Sequence, residues 1–199
     1  MTLLHALDLL STFVFALVGA RIAADRVLDY GGIAFIATIA SISGGTLRNV
    51  FLGIVPVWIE DPWILASILA AVIITLTLRR VTHVGKTLLI LDTFALATAT
   101  LSGTQFAHEL DVPWFSCILL GVITAVTGGL LRDVLCQVEP VLLHRETIGT
   151  SALMGASTFV LLHAFDTPEI AAVIAGGIVV VATRVISIQF DLHLPKFRK

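Results

Sequence analysis

Arg48 and Arg132 stand inside long apolar runs, and each follows a pair of adjacent glycines by three residues: Gly44-Gly45 before Arg48, Gly128-Gly129 before Arg132. A guanidinium in such a run must find a carboxylate, backbone carbonyls or water, because an unpaired arginine at membrane depth costs several kcal/mol. Asp8 and Asp92 lie in apolar runs of their own and are the natural partners. Asp133 directly follows Arg132, and the neutral Asn49 directly follows Arg48, so these two are further ion-pair candidates. The chemistry open to such a set is the guarding of an ion path or the holding of a substrate carboxylate. A purely structural ion pair between helices is the competing reading. No spacing such as HExxH or CxxC is present, so neither a metal centre nor an enzyme is expected.

Composition explains why those charges stand out. The chain has 199 residues, of which 57% are hydrophobic and 13% charged. Its mean hydropathy is +1.02. Ordinary soluble domains carry about 25% charged residues, so this chain is expected to be a polytopic membrane protein with the lipid bilayer as its main partner. The net charge of −2 gives no support to nucleic-acid binding, and no soluble partner or cofactor is implied. Cys117 and Cys136 would lie about 28 Å apart on one helix, too far for a disulfide.

The elements that position the charges follow from span length. About 20 apolar residues cross a bilayer as a helix. That length predicts an all-α fold of seven spans, at 3–21, 30–57, 62–79, 85–106, 113–138, 147–164 and 168–189, in one domain over 1–199. Asp8 inside the first run, with no basic residues before it, argues against a cleaved signal peptide.

The strongest pattern is internal. An offset of 84 places Gly44 on Gly128, Gly45 on Gly129, Leu47 on Leu131, Arg48 on Arg132, Asn49 on Asp133, Val50 on Val134 and Pro56 on Pro140. The same offset places Asp8 on Asp92 and Gly19 on Gly103. Repeat 1 is expected over 3–80 and repeat 2 over 87–164, with an extra helix at 168–190. Three spans per repeat is an odd number, so the second copy enters the membrane from the opposite side. Charge segregates accordingly. Arg21, Arg26, Arg79, Arg80, Lys86, Arg145, Lys196, Arg198 and Lys199 fall at one set of ends; Glu60, Asp61, His108, Glu109, Asp111, Asp166 and Glu169 fall at the other. The positive-inside rule puts the first set in the cytoplasm, the N-terminus outside and the C-terminus inside.

Spans 2 and 5 are too long for a plain crossing: 30–57 as one helix would reach about 42 Å against a hydrocarbon core of about 30 Å. Adjacent glycines are a known cause of kinks. Both spans are therefore expected to be kinked and discontinuous at the glycines, releasing carbonyls from Ser43 and Thr127 and their neighbours toward a cavity. Close small-xxx-small helix packing is the alternative reading of the glycines. Thr93, Thr98, Thr100, Ser102 and Thr104 form a hydroxylated stripe that either lines a pore or bonds to its own backbone. Arg184 is expected to snorkel to the cytoplasmic surface, and Trp58, Trp63 and Trp114 to anchor the outer interface. Ala171, Ala172, Ala175 and Gly176 offer a small-residue face, inside the subunit or toward another.

Two copies of "GG-x-L-R-(N/D)-V" ending in proline, on spans 2 and 5 of a seven-span inverted repeat, resemble the bacterial branch of the trimeric intracellular cation channel family. The resemblance covers essentially the whole chain. It implies a homotrimer with a pore in each subunit, conduction of K⁺ and Na⁺, and an hourglass route shaped by kinked second and fifth helices. Gly44, Gly45, Gly128, Gly129, Ser43, Thr127, Asp8, Asp92, Arg48 and Arg132 are then the expected pore and gate residues. The family's counter-ion role in calcium release does not transfer to a bacterial cell, and its phosphoinositide motif has no clear equivalent here. The same branch is also linked to uptake of small amino acids, especially glycine. Broken-helix inverted repeats suit carriers as well as channels. A bacterial inner-membrane location follows from the same resemblance. A scaffold role fits less well, since the connectors are short.

Overall fold

The structure is a computed structural model and describes residues 3–78, 84–138 and 147–190. Among these residues there are eight helices: α1 (Leu3–Asp25), α2 (Tyr30–Phe51), α3 (Val57–Glu60), α4 (Pro62–Thr77), α5 (Val84–Glu109), α6 (Trp114–Leu135), α7 (Thr147–His163) and α8 (Glu169–Gln189). Five of them are long and apolar enough to cross a membrane; α4 and α7 are shorter apolar helices, and α3 is a single turn. Arg79, Arg80, His83, Pro140, His144, Arg145, Lys196, Arg198 and Lys199 lie outside the described residues, and with them most of the basic set used for orientation.

Packing sorts residues by size rather than by polarity. The interior is dominated by small side chains such as Ala16, Ala20, Ala37, Ala95, Thr100 and Ser102, while Leu65, Leu69, Ile73, Ile178 and Phe190 face outward. That is the arrangement expected where lipid accepts large apolar groups and helices gain from close approach. The centre is built by α1, α2, α5 and α6, with α4 against α1 and with α7 and α8 against α5. Ala172 is buried and Gly176 meets Gly155 of α7, so that part of the small-residue face packs within the subunit. Cys117 and Cys136 are free and buried.

The 84-residue offset reappears in the element boundaries. It carries Tyr30–Phe51 onto Trp114–Leu135, and the end of α1 at Asp25 onto the end of α5 at Glu109. The helix ends are built alike. Ile54 N–H donates to the Asn49 carbonyl (3.0 Å) and Val138 N–H to the Asp133 carbonyl (2.9 Å). These are six-to-one bonds of a Schellman ending, with Gly53 and Gln137 in the left-handed region at φ 69° and 51°. Val27 and Asp111 do the same after α1 and α5, at φ 59° and 55°.

Spans 2 and 5 differ from expectation in one respect. Each runs as an uninterrupted α-helix through its glycine pair. The excess length is absorbed at the end: α2 stops at Phe51, and the chain turns through Gly53 into α3. A break at depth would leave carbonyls without donors, whereas two glycines in a helix cost only about 1 kcal/mol each. The expected release of carbonyls around Ser43 and Thr127 therefore does not occur. Thr127 Oγ1 instead donates back to the Ile123 carbonyl at 2.6 Å, and Ser43 Oγ is buried near Gly128.

Candidate functional site

The glycines divide into two jobs. A Cβ on Gly44 would lie 2.0 Å from the Thr124 carbonyl oxygen, and a Cβ on Gly128 would lie 2.2 Å from the Ala40 carbonyl oxygen. Ala40 and Thr124 are themselves related by the 84-residue offset, so the contact is reciprocal, and α2 and α6 cross antiparallel with their backbones touching. Gly19 and Gly103 bring α1 against Ala37 and Ala40, and α5 against Gly121 and Thr124, in the same equivalent manner. Gly45 and Gly129 do something else. Their missing side chains leave room beside the arginines, whose Nη2 atoms would lie 3.8 and 3.7 Å from an added Cβ. Side chains on a helix lean toward its N-terminus, so each arginine folds back over the glycine one turn earlier.

Each arginine then meets the aspartate of its own repeat. Arg132 Nη1 donates to Asp92 Oδ1 at 2.7 Å, and its Nε donates to Asp133 Oδ1 at 2.8 Å. Arg48 Nε donates to Asn49 Oδ1 at 2.9 Å, while its Nη1 stands 3.5 Å from Asp8 Oδ1. Arg48 and Arg132 are 1% and 3% exposed; Asp8 and Asp92, at 15% and 18%, keep contact with the cavities beside them. The pairs are equivalent in position but not in strength. Arg132 is gripped by two carboxylates. Arg48 has one, at longer range, and makes up the difference locally: Nη1 donates to Ser102 Oγ at 3.3 Å, Ser102 Oγ in turn donates to Asp8, and the guanidinium lies 4.0 Å over the Phe106 ring. Asn49 Nδ2 also donates to the Val55 carbonyl at 2.9 Å, tying the turn after α2 to the site.

Two cavities open beside these pairs. The first, about 40 Å³, is lined by Asp8, Ser11, Thr12, Phe15, Ser41, Gly44, Gly45, Arg48 and Trp58, among others. The second, about 20 Å³, is lined by Phe15, Asp92, Leu96, Ala125, Gly129, Arg132, Asp133 and Ile148, among others. Most of the second lining is the first shifted by 84. Ser43 and Thr127 are in neither lining. Because Asp8 is near the start of α1 and Asp92 near the start of α5, the cavities lie toward opposite ends of the bundle.

Several residues had other places than their types suggested. Thr93, Thr98, Thr100 and Thr104 donate to carbonyls on their own helix, and Ser102 alone of that stripe reaches an arginine pair. Trp58 Nε1 donates to Thr46 Oγ1 at 3.0 Å in the wall of the first cavity. Trp63 and Trp114 are 68% and 67% exposed. Arg184 does not snorkel; it is 1% exposed and its Nη1 donates to Thr147 Oγ1 at 3.2 Å, joining α8 to α7. Phe15 and Phe106 carried no signal of function in the sequence beyond one: the repeat partners Ala99 and Ile22 differ from them in size.

The chain thus holds an antiparallel helix crossing through two glycines, with an arginine–aspartate pair toward each end, and solved structures share its fold. A TRIC trimeric intracellular cation channel orthologue from Rhodobacter sphaeroides superposes with a TM-score of 0.90 at 32% identity, covering 96% of this chain and 100% of that one. A second TRIC cation channel superposes with a TM-score of 0.85 at 27% identity, covering 100% of this chain and 98% of that one. The chain belongs to the TRIC family, and it matches twice, over residues 5–80 and 89–164, the related family described as Glycine transporter. Among its relatives, the inner membrane protein YadS of Escherichia coli K12 is 30% identical over 98% of this chain and 96% of its own length. A membrane protein of Vibrio cholerae is 31% identical over 98% of this chain and 83% of its own.

Proposed function

We propose that the protein is a channel for monovalent cations, K⁺ and Na⁺, with a pore in each subunit of a homotrimer in the bacterial inner membrane. The observation that carries this reading is the pair of equivalent cavities on the α1, α2, α5, α6 core, one toward each end of the bundle. The antiparallel, reciprocal contact of Gly44 and Gly128 supports an inverted repeat, since a two-fold axis that reverses helix direction lies across the helices and hence in the membrane plane. The N-terminus is then outside and the C-terminus cytoplasmic. Positive charge in a cation route repels the permeant ion, and Asp8, Asp92 and Asp133 answer that objection by neutralising Arg48 and Arg132 where they stand. Arg48 and Arg132 act at the two gates, and Asp8 and Asp92 present the carboxylate edges that cations meet.

A second reading is a carrier for a small amino acid such as glycine. It is favoured by the first cavity, which presents a guanidinium and a carboxylate together, one for each end of a zwitterion. Flux into proteoliposomes separates the two. A channel passes radiolabelled rubidium down its gradient without saturation and leaves radiolabelled glycine outside. Saturable glycine uptake with no rubidium flux would overturn the channel reading in favour of the carrier.

A further inference from the structure

Phe15 is the one residue that the two cavity linings share among the described residues. It is 4% exposed and belongs to an apolar cluster with Leu96, Ala99, Ala125 and Ile148. The residue at the equivalent position of α5 is Ala99, which lines the first cavity only. The two halves of the route are thus alike in their glycines and arginines and unlike at their meeting point, where one repeat contributes a phenyl ring and the other a methyl group.

From this we infer that Phe15 is the plug of the conduction route, a single apolar side chain that holds the two cavities apart in this structure. The inference rests on the channel reading and adds to it a residue that none of the charged positions supplies. The lining of the first cavity includes the oxygens of Asp8, Ser11, Thr12 and Ser41, and that of the second includes Asp92 and Asp133, beside Arg48 and Arg132. Between them stands Phe15, packed against Leu96, Ala99, Ala125 and Ile148, and its ring offers no oxygen to replace hydration water. Cavities of 40 and 20 Å³ hold a few waters and about one, respectively, so hydration stops on both sides of the ring. Constrictions of this kind close by dewetting. The arginine pairs then shape the field at the two mouths, and the ring of Phe15 keeps the path shut until α1 or the side chain moves.

Single-channel recording on the full-length protein with Phe15→Leu, Phe15→Val and Phe15→Ala tests the plug. Open probability should rise as the side chain shrinks, by at least about tenfold at alanine. Phe15→Leu and Phe15→Val shrink the side chain in smaller steps and keep the test alive if Phe15→Ala fails to assemble. Moving the ring across the repeat, in the double variant Phe15→Ala/Ala99→Phe, should bring open probability back toward that of the parent. Assembled Phe15 variants that gate like the parent would overturn the plug and leave the channel reading standing. A folded parent and a folded Phe15→Ala that both pass no unitary cation current would instead remove the channel reading, and the plug with it.

Discussion

Alanine at position 44 is expected to prevent assembly of the bundle, while alanine at position 45, its immediate neighbour, is tolerated. The added Cβ at 44 would sit 2.0 Å from the Thr124 carbonyl oxygen, which is backbone and cannot rotate away. Relief requires α2 and α6 to separate, and those helices also carry Arg48 and Arg132. Overpacking of a core costs about 1–3 kcal/mol when side chains can adjust; a backbone clash at the central crossing belongs at or above the top of that range. At position 45 the nearest atom to the added Cβ is the far end of the flexible Arg48 side chain, at 3.8 Å. Gly45→Ala also removes the helix penalty of glycine, worth up to about 1 kcal/mol. Gly128→Ala should repeat the loss and Gly129→Ala the tolerance, since their contacts are 2.2 Å and 3.7 Å. The check is the thermal unfolding midpoint and the monodisperse fraction of all four variants in detergent. Equal behaviour of 44 and 45 would mean that the glycines are not divided between packing and clearance.

The second large effect concerns the arginines. Arg132→Gln removes the guanidinium that both Asp92 and Asp133 contact. Breaking a buried ion pair by removing one partner costs about 3–5 kcal/mol, mostly because a carboxylate loses its partner in a poor solvent. Adding Asp92→Asn to Arg132→Gln removes one of those charges and should recover a large part of the loss. A double-mutant cycle is therefore expected to give a coupling of about 2 kcal/mol or more for Arg132 with Asp92. The same cycle on Arg48 and Asp8 should give less, because that pair stands at 3.5 Å rather than 2.7 Å and Ser102 and Phe106 share the guanidinium. Equal couplings at the two ends would show that local partners do not matter. Additivity at Arg132 would show that the pair is not an energetic unit.

The arginine–aspartate pairs were legible in the sequence because burial leaves a charge few options, and a shared offset of 84 named the partner. The 84-residue offset of the sequence recurs in the helix ends, where equivalent residues terminate α2 and α6 in the same way. The glycine pairs read as breaks in the sequence, and the structure keeps both helices whole. Helix propensity and span length both pointed there, but neither knows that Thr124 and Ala40 lie across the contact. That is a fact of register between helices, set by how α2 and α6 cross. The contacts of Trp58 with Thr46 and of Ser102 with Asp8 and Arg48 are facts of the same kind, since indole or hydroxyl types alone do not say which cavity they face. Arg184 was assigned to the surface from its position near a helix end, and the structure buries it against Thr147 because α8 packs on α7 along its length. Phe15 left no trace in composition. Its meaning comes from the comparison with Ala99, the equivalent position, where a methyl group stands in place of the ring.

The most direct measurement is the unitary current of the purified protein in a planar bilayer under a KCl gradient. Discrete steps that reverse at the Nernst potential of potassium are the predicted result. Folded protein that gives no unitary steps, or steps that reverse at the chloride potential, would contradict a cation route through the Arg48 and Arg132 cavities.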